Sequence, residues 1–223
     1  MNNIAIIPAR GGSKRFPRKN VQLLGGIPLI AHSILEAKKF LGLINEVYVS
    51  TDDAEIKNIA LSYGAKVIDR PSQLSGDNEP TVTAMKHVLE SLENPVDWVF
   101  LLQPTNPLRP QGLISDAFQC MQNSDADSLM TVTRNHQKFG KIVNDVFVPF
   151  NYTLGQRSQD LEPLYFENGL LYIIASHLVL EEKIMGAKPF PLVVNHPFAS
   201  VDIDVLEDLV YAKYLYELSN SQE

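Results

Sequence analysis

Five of the chain's nineteen lysine and arginine residues fall within ten positions, in the stretch Arg10-Gly11-Gly12-Ser13-Lys14-Arg15-Phe16-Pro17-Arg18-Lys19, with Asn20 directly after it. Adjacent glycines let a backbone come close to a phosphate, and the cations beside them supply the countercharge that a nucleoside triphosphate needs. The stretch is neither of the two common phosphate motifs. No second glycine precedes a Lys-Ser/Thr pair, as a Walker A loop requires, and no G-x-G-x-x-G fingerprint is present. The plainer reading is a solvated basic turn. Position favours phosphate, because the loop directly follows the first strand-like run, residues 4–8.

Near the other end, Ser200-Val201-Asp202-Ile203-Asp204-Val205 alternates in polarity. As a strand it puts Asp202 and Asp204 on one face and Val201, Ile203 and Val205 on the other. Two converging carboxylates suit magnesium, or another divalent cation such as manganese, which takes one or two carboxylates and leaves its other positions to water and substrate phosphates. The competing reading is that Asp204 only caps the helix expected over residues 206–218, where Leu206, Val210, Tyr214 and Leu218 recur four apart. Asp52 and Asp53 read as turn or cap residues. None of the five histidines pairs in sequence with a Ser or Cys nucleophile pattern, and His32 and His87 fall within expected helices, so no triad is assigned.

Elements able to position these groups alternate along the chain. Residues 4–8 form an unbroken apolar run, as in a strand covered on both faces. A helix follows, with Pro28 at its first position and Ile30, Ile34, Ala37 and Leu41 inward. Strands are expected at 46–50, 66–68 and 98–102, and helices at 54–63 (with Gly64 as cap), 82–92 and 113–121. Further strands are expected at 145–150 and 170–174, while residues 151–168 lack periodicity, as a functional segment or an interface arm does. Such alternation implies a mainly parallel sheet with helices on both faces and a ligand crevice at the carboxyl ends of the strands. The loops at that edge, residues 10–20, 51–53, 70–80 and 103–110, are where function is expected. No internal repeat or linker interrupts the 223 residues, so one domain is expected.

Composition is that of an ordinary globular protein, 45% hydrophobic and 20% charged, with disorder expected only at residues 220–223. A net charge of −7 disfavours general nucleic-acid binding. The lone Cys120 excludes an intrachain disulfide framework and a cysteine-rich metal site, and reads as a small core residue in a reducing compartment. The start of the chain has no basic leader, and the first apolar run is too short for a signal segment or a membrane span. A cytoplasmic protein that does not enter the membrane is expected.

The basic loop and the acidic pair, with Gln103-Pro104-Thr105-Asn106-Pro107-Leu108-Arg109 and Glu167-Asn168-Gly169 between them, resemble the acylneuraminate cytidylyltransferases, or CMP-sialic acid synthetases, including their legionaminic acid relatives. Pro8-Ala9-Arg10-Gly11-Gly12-Ser13-Lys14 and Pro17-Arg18-Lys19-Asn20 are further specific pieces, all in the family's order, and the similarity covers nearly the whole chain. The resemblance implies a three-layer α/β/α sandwich with a Rossmann-like sheet of the nucleotide-sugar transferase type and a small dimerisation arm, residues 135–168. It implies CTP and an acidic nine-carbon sugar as substrates, a CMP-sugar and pyrophosphate as products, and a homodimer. In it Arg10 and Asn20 hold the cytidine end and Arg70 and Thr81 help with base and ribose. The glycine loop Gly11, Gly12 and Ser13 with Lys14 and Lys19 meets the triphosphate, and Asp202 and Asp204 bind magnesium. Lys14, Asp204 and Arg10 then carry catalysis, while Gln103, Thr105 and Arg109 face the sugar. Arg157 and Gln159 enclose it, with the partner subunit able to supply them. The segment reads Gly155-Gln156-Arg157-Ser158-Gln159-Asp160, whereas relatives often show Arg-Arg-Gln-Asp, so the arm is the loosest part of the match. Taken singly, Gln103 could end a strand, Arg109 could pair with a surface acid, and Arg157 could be solvated. The alternatives are a cytidylyltransferase for pseudaminic acid or ketodeoxyoctonate, which the loop and the Gln103–Arg109 run disfavour, and a non-catalytic nucleotide-binding module.

Overall fold

The computed structural model describes residues 1–221. Strand β1 (Asn3–Pro8) leads through the basic loop and a short hairpin, β2 (Leu23–Leu24) with β3 (Ile27–Pro28), to helix α1 (Leu29–Lys38). Then come β4 (Glu46–Thr51), α2 (Ala54–Ser62), β5 (Lys66–Asp69), α3 (Thr81–Glu90), β6 (Trp98–Leu101) and α4 (Leu113–Gln122). The second half holds β7 (Ser128–Asn135), the hairpin β8 (Gly140–Val143) and β9 (Val146–Pro149), β10 (Leu164–Ala175), α5 (Ser176–Leu180), β11 (Pro189–Val193) and α6 (Leu206–Asn220).

Seven strands form one sheet in the order β11-β7-β10-β6-β1-β4-β5. All neighbours pair in parallel except β10, which runs antiparallel to both β6 and β7. The expected mainly parallel α/β sheet is therefore observed. The reversed strand matters for the site: with Tyr172 opposite Leu101, residues 167–171 lie just beyond the carboxyl end of β6. Burial on both faces explains why the central strands read as apolar runs. Ala5 and Ile7 face a core with Ile30, Ile34, Phe100 and Phe118, whereas Ile4 and Ile6 face Met85, Val88, Leu101 and Ile174. A third cluster, with Leu24, Leu29, Val201, Ile203, Leu209 and Leu215, seats α6 against the edge of the site.

Several expectations are corrected here. Pro28 is the residue before α1, with ψ 142°, and Leu41 is exposed because the helix ends at Lys38. Strands β2, β3, β7, β8 and β11 and helix α5 are additions, and the end of the aperiodic segment, residues 164–168, belongs to β10. Residues 200–205 are not a strand; Ser200 ends a 3-10 turn, residues 204–205 bend, and the stretch is tied between them by the Ile203 amide donating to the Thr105 carbonyl at 2.8 Å. Their alternation survives, with Val201 and Ile203 buried. Helix α6 buries Leu209, Ala212 and Leu215, and the four-apart row of Leu206, Val210, Tyr214 and Leu218 is exposed. Asn220 is the last residue of α6, and residues 222–223 of the tail expected to be disordered lie outside the described residues.

Candidate active site

The loops at the carboxyl edge enclose a cleft of about 490 Å³. Its lining unites most of the nominated residues: Arg10, Ser13, Lys14, Lys19, Asn20, Arg70, Thr81, Gln103, Thr105 and Asp204. These come from four separate loops and one helix start, so the clustering is a property of the topology and not of sequence proximity.

The basic loop is held from beneath. The Asn20 side chain, buried, donates to the Arg10 carbonyl at 3.0 Å, and the Gly11 amide donates to Asp52 Oδ1 at 2.9 Å. A Cβ on Gly11 would stand 2.8 Å from the Asp53 side chain, a contact that real side chains do not make, so glycine is required there by closeness. Gly12 has open space around it. Asp53 itself caps α2, accepting from the Glu55 and Ile56 amides at 2.9 Å each, as expected of a cap. Arg70 is anchored by Nε donating to Ser50 Oγ at 3.0 Å and by a 2.6 Å bond to the Ser50 carbonyl. Burial lowers its pKa, against the opposing charge of Asp52.

The cleft is cationic and largely self-neutralised. Arg10, Lys14, Arg15, Lys19 and Arg70 line it against Asp77, Glu79 and Asp204. Lys19 Nζ lies 2.8 Å from Asp204 Oδ1, and Arg15 reaches Asp204 Oδ2 at 2.6 Å. Burial raises the Asp204 pKa, but the bonds and charges of Lys19 and Arg15 outweigh it and hold the carboxyl below its usual range. Asp202 behaves oppositely: burial is the main cause of its raised pKa, and the nearby Asp204 charge adds to it, against the Thr105 hydroxyl. Asp204 does not cap α6. The N-cap is Val205, and Asp208 accepts from the Asp204 and Val205 amides at 2.8 and 2.9 Å.

Among the described residues no group of three or more His, Cys, Asp or Glu converges as a metal cage. Asp202 is exposed and outside the lining of the cleft, but it stands close enough to Asp204 to feel its charge, and the pair fits a cation that shares its coordination with phosphate oxygens and water.

Three nominated sugar residues lie elsewhere. Arg109, 7% exposed, donates from Nε to the Leu170 carbonyl at 2.7 Å, and its other nitrogens reach Ser33 Oγ and the Gln103 carbonyl at 3.1 Å each. Burial pushes its pKa down to about 10, with the Glu36 charge opposing. Its guanidinium thus braces the Gln103 loop from inside instead of facing the cleft. Arg157 is exposed and pairs with Asp160 at 2.7 Å, and neither it nor the exposed Gln159 lines the cleft of its own chain.

Sequence reasoning picked out Glu167-Asn168-Gly169 as part of the resemblance but gave it no role at this edge. The Asn106 side-chain amide donates to the Asn168 carbonyl at 3.1 Å and to the Val201 carbonyl at 2.8 Å, tying the Gln103 loop to β10 and to the segment before α6. Gly169, at φ +73°, lies so close that a Cβ would meet Asn106 Oδ1 at 2.8 Å. Tyr172 donates to Glu167 Oε2 at 3.0 Å. Sequence reasoning gave no role to Asp77 either, although the loop that holds it, residues 70–80, was expected at this edge.

Comparison with known proteins follows the same geometry. A pseudaminic acid cytidylyltransferase of Campylobacter jejuni is 35% identical over 99% of this chain and 98% of its own. The CMP-N,N'-diacetyllegionaminic acid synthase of Legionella pneumophila is 34% identical over 98% of each. An N-acylneuraminate cytidylyltransferase of Streptococcus agalactiae is 32% identical over 95% of this chain, which spans 52% of that protein. The sequence features taken to disfavour pseudaminic acid therefore do not separate these relatives. Among solved structures, a CMP:2-keto-3-deoxy-manno-octonic acid synthetase complexed with CTP superposes with a TM-score of 0.71 at 18% identity, over 98% of this chain and all of that one, a likeness of fold. No described helix is long and apolar enough to cross a membrane. The family model for cytidylyltransferases matches residues 4–220, and the chain belongs to that family.

Proposed function

We infer that this chain transfers CMP from CTP to the anomeric hydroxyl of a nine-carbon 2-keto acid sugar of the sialic or legionaminic type and releases pyrophosphate, as a cytoplasmic enzyme. The observation that carries this reading is one cleft joining the cationic loop, Arg70, Thr81, Gln103 and Asp204 in a cytidylyltransferase chain. Phosphoryl-type transfer is catalysed mainly by positioning and charge neutralisation, which accounts for a site of cations and carboxylates with no protein nucleophile. Arg10 and Asn20 hold the cytidine end, Arg70 and Thr81 the base and ribose, and Lys14 and Lys19 the phosphates. Gln103 and Thr105 orient the sugar beside the α-phosphorus. Asp202 and Asp204 hold magnesium, or manganese, which when bound neutralises phosphate charge. Titrating CTP against the other three ribonucleoside triphosphates by calorimetry tests the nucleotide half of this reading. Preference for CTP is expected, and equal binding of all four would overturn it.

Lys14→Ala is expected to lower kcat and kcat/KM together, by about 100-fold, since the ammonium opposes charge that grows in the transition state. A change in KM alone would make Lys14 a uniform binding group.

A homodimer is part of the same proposal. The β8–β9 hairpin exposes Ile142, Val146 and Phe147, with Phe150 beside it, a surface suited to a second copy. The partner's arm then brings Arg157 to the sugar carboxylate, an anion for which Arg109 is not free. Arg157→Ala is expected to raise KM for the sugar about tenfold with CTP affinity unchanged. At sugar concentrations well below the parent's KM, where both variants are impaired, mixing it with Asp204→Asn protein should recover activity in heterodimers; no recovery despite proven subunit exchange would make each site the work of one chain.

A further inference from the structure

Asp77 sits on the loop between β5 and α3, across the cleft from the basic loop. Its Oδ1 lies 3.2 Å from Arg10, its other oxygen pairs with Lys14, and the adjacent Gly76 carbonyl accepts from Arg10 at 2.7 Å. Asp204 does the same for Arg15 and Lys19. Two carboxylates thus pair with the four loop cations that line the cleft and offset half of their charge. For Asp204 the metal reading supplies a use, but none of the roles given so far involves Asp77.

We propose that Asp77 is a positioning residue for phosphate exchange: it holds Arg10 and Lys14 across the cleft, yields them to the triphosphate, and takes them back as pyrophosphate leaves. This rests on the cytidylyltransferase reading above. The pairs are exposed, with Lys14 78% and Asp77 38% accessible at the side chain, and such pairs are weak enough to exchange. The Lys14 ammonium also holds the Asp77 carboxyl below its ordinary pKa, so the group stays anionic at neutral pH. A polyphosphate and Asp77 cannot both neutralise the same two cations. The apparent affinity for every polyphosphate in the cleft is therefore reduced by the fraction of molecules in which the pairs are closed. The factor is the same for CTP and pyrophosphate, and the product, with less charge and no base to anchor it, starts from the weaker affinity, so the reduction favours its departure.

The test uses Asp77→Asn, which keeps the side chain's size and removes its charge, with Asp77→Ala as a second variant and Asp77→Glu as the charge-retaining control. Calorimetry with inorganic pyrophosphate and with CTP should show about fivefold tighter binding to the Asn and Ala variants at low ionic strength, the scale of an exposed pair. The gap should close at high salt, where exposed charges are screened, and the Glu variant should behave as the parent. A purely structural role predicts equal or weaker binding that salt does not modulate. If the parent binds both ligands and the neutral variants bind no more tightly, the exchange role of Asp77 is overturned and the cytidylyltransferase reading stands. If neither ligand binds parent or variants, both are overturned.

Discussion

Asp204→Asn is expected to lower turnover about 100-fold or more while the chain remains folded, the scale of removing one strong electrostatic stabiliser. The carboxylate lies in the cleft between Lys19 and Arg15, at 2.8 and 2.6 Å, and its net pKa is held down by those cations. The local fold does not depend on its charge. The start of α6 is bonded through Asp208, and the neighbouring Val201 and Ile203 supply the apolar anchorage. The loss should therefore appear in kcat with an unchanged melting temperature. Turnover close to the parent's in saturating magnesium would remove Asp204 from the metal and from the chemistry.

The largest stability effect is expected at Arg109. Arg109→Met removes the donor to the Leu170 carbonyl, whereas the Gln103 carbonyl keeps the Ser33 hydroxyl and the Asn106 backbone amide, both at 3.2 Å. Leaving one buried polar group unpaired costs about 1–3 kcal/mol, so a loss of that size is expected. For a chain of this length that lowers the melting temperature by roughly 2–12 °C. Arg109→Lys should recover little, since an ammonium cannot span three acceptors with a rigid planar fork. Thermal unfolding followed by circular dichroism checks both variants. An unchanged melting temperature together with loss of sugar use alone would return Arg109 to the sugar site.

How far the sequence could be read depended on whether a feature is local. β1 and β6 were legible because strands buried on both faces are apolar throughout, and Asp53 because a cap acts within three residues of itself. The basic loop was legible because its cations are consecutive. β7 was hidden by Ser128, Thr131 and Thr133, hydroxyl residues whose partners, such as Asn168 and the Val194 carbonyl, lie far along the chain. β11 was hidden by Pro189 and Pro191, which only an edge strand tolerates. The row from Leu206 to Leu218, four apart, marks α6 in the sequence but not its inner face, because two apolar faces compete on that helix and the Leu209 face meets the third cluster. Arg109 failed for a different reason. Its sequence shows a cation after a Pro-Leu pair, and nothing local reveals that backbone carbonyls from β10 and the Gln103 loop converge on it. Asp77 belongs to the same class, since its meaning comes from a loop met only in the fold.

The central claim is that this cleft joins CTP to an acidic nine-carbon sugar. The most direct measurement mixes the purified chain with CTP, magnesium and, in turn, sialic, legionaminic, pseudaminic and ketodeoxyoctonic acids, and quantifies pyrophosphate and the CMP-sugar together. The account predicts equimolar pyrophosphate and CMP-sugar with sialic or legionaminic acid, and loss of both products in Asp204→Asn. Binding of CTP without pyrophosphate release from any of the four sugars would contradict it.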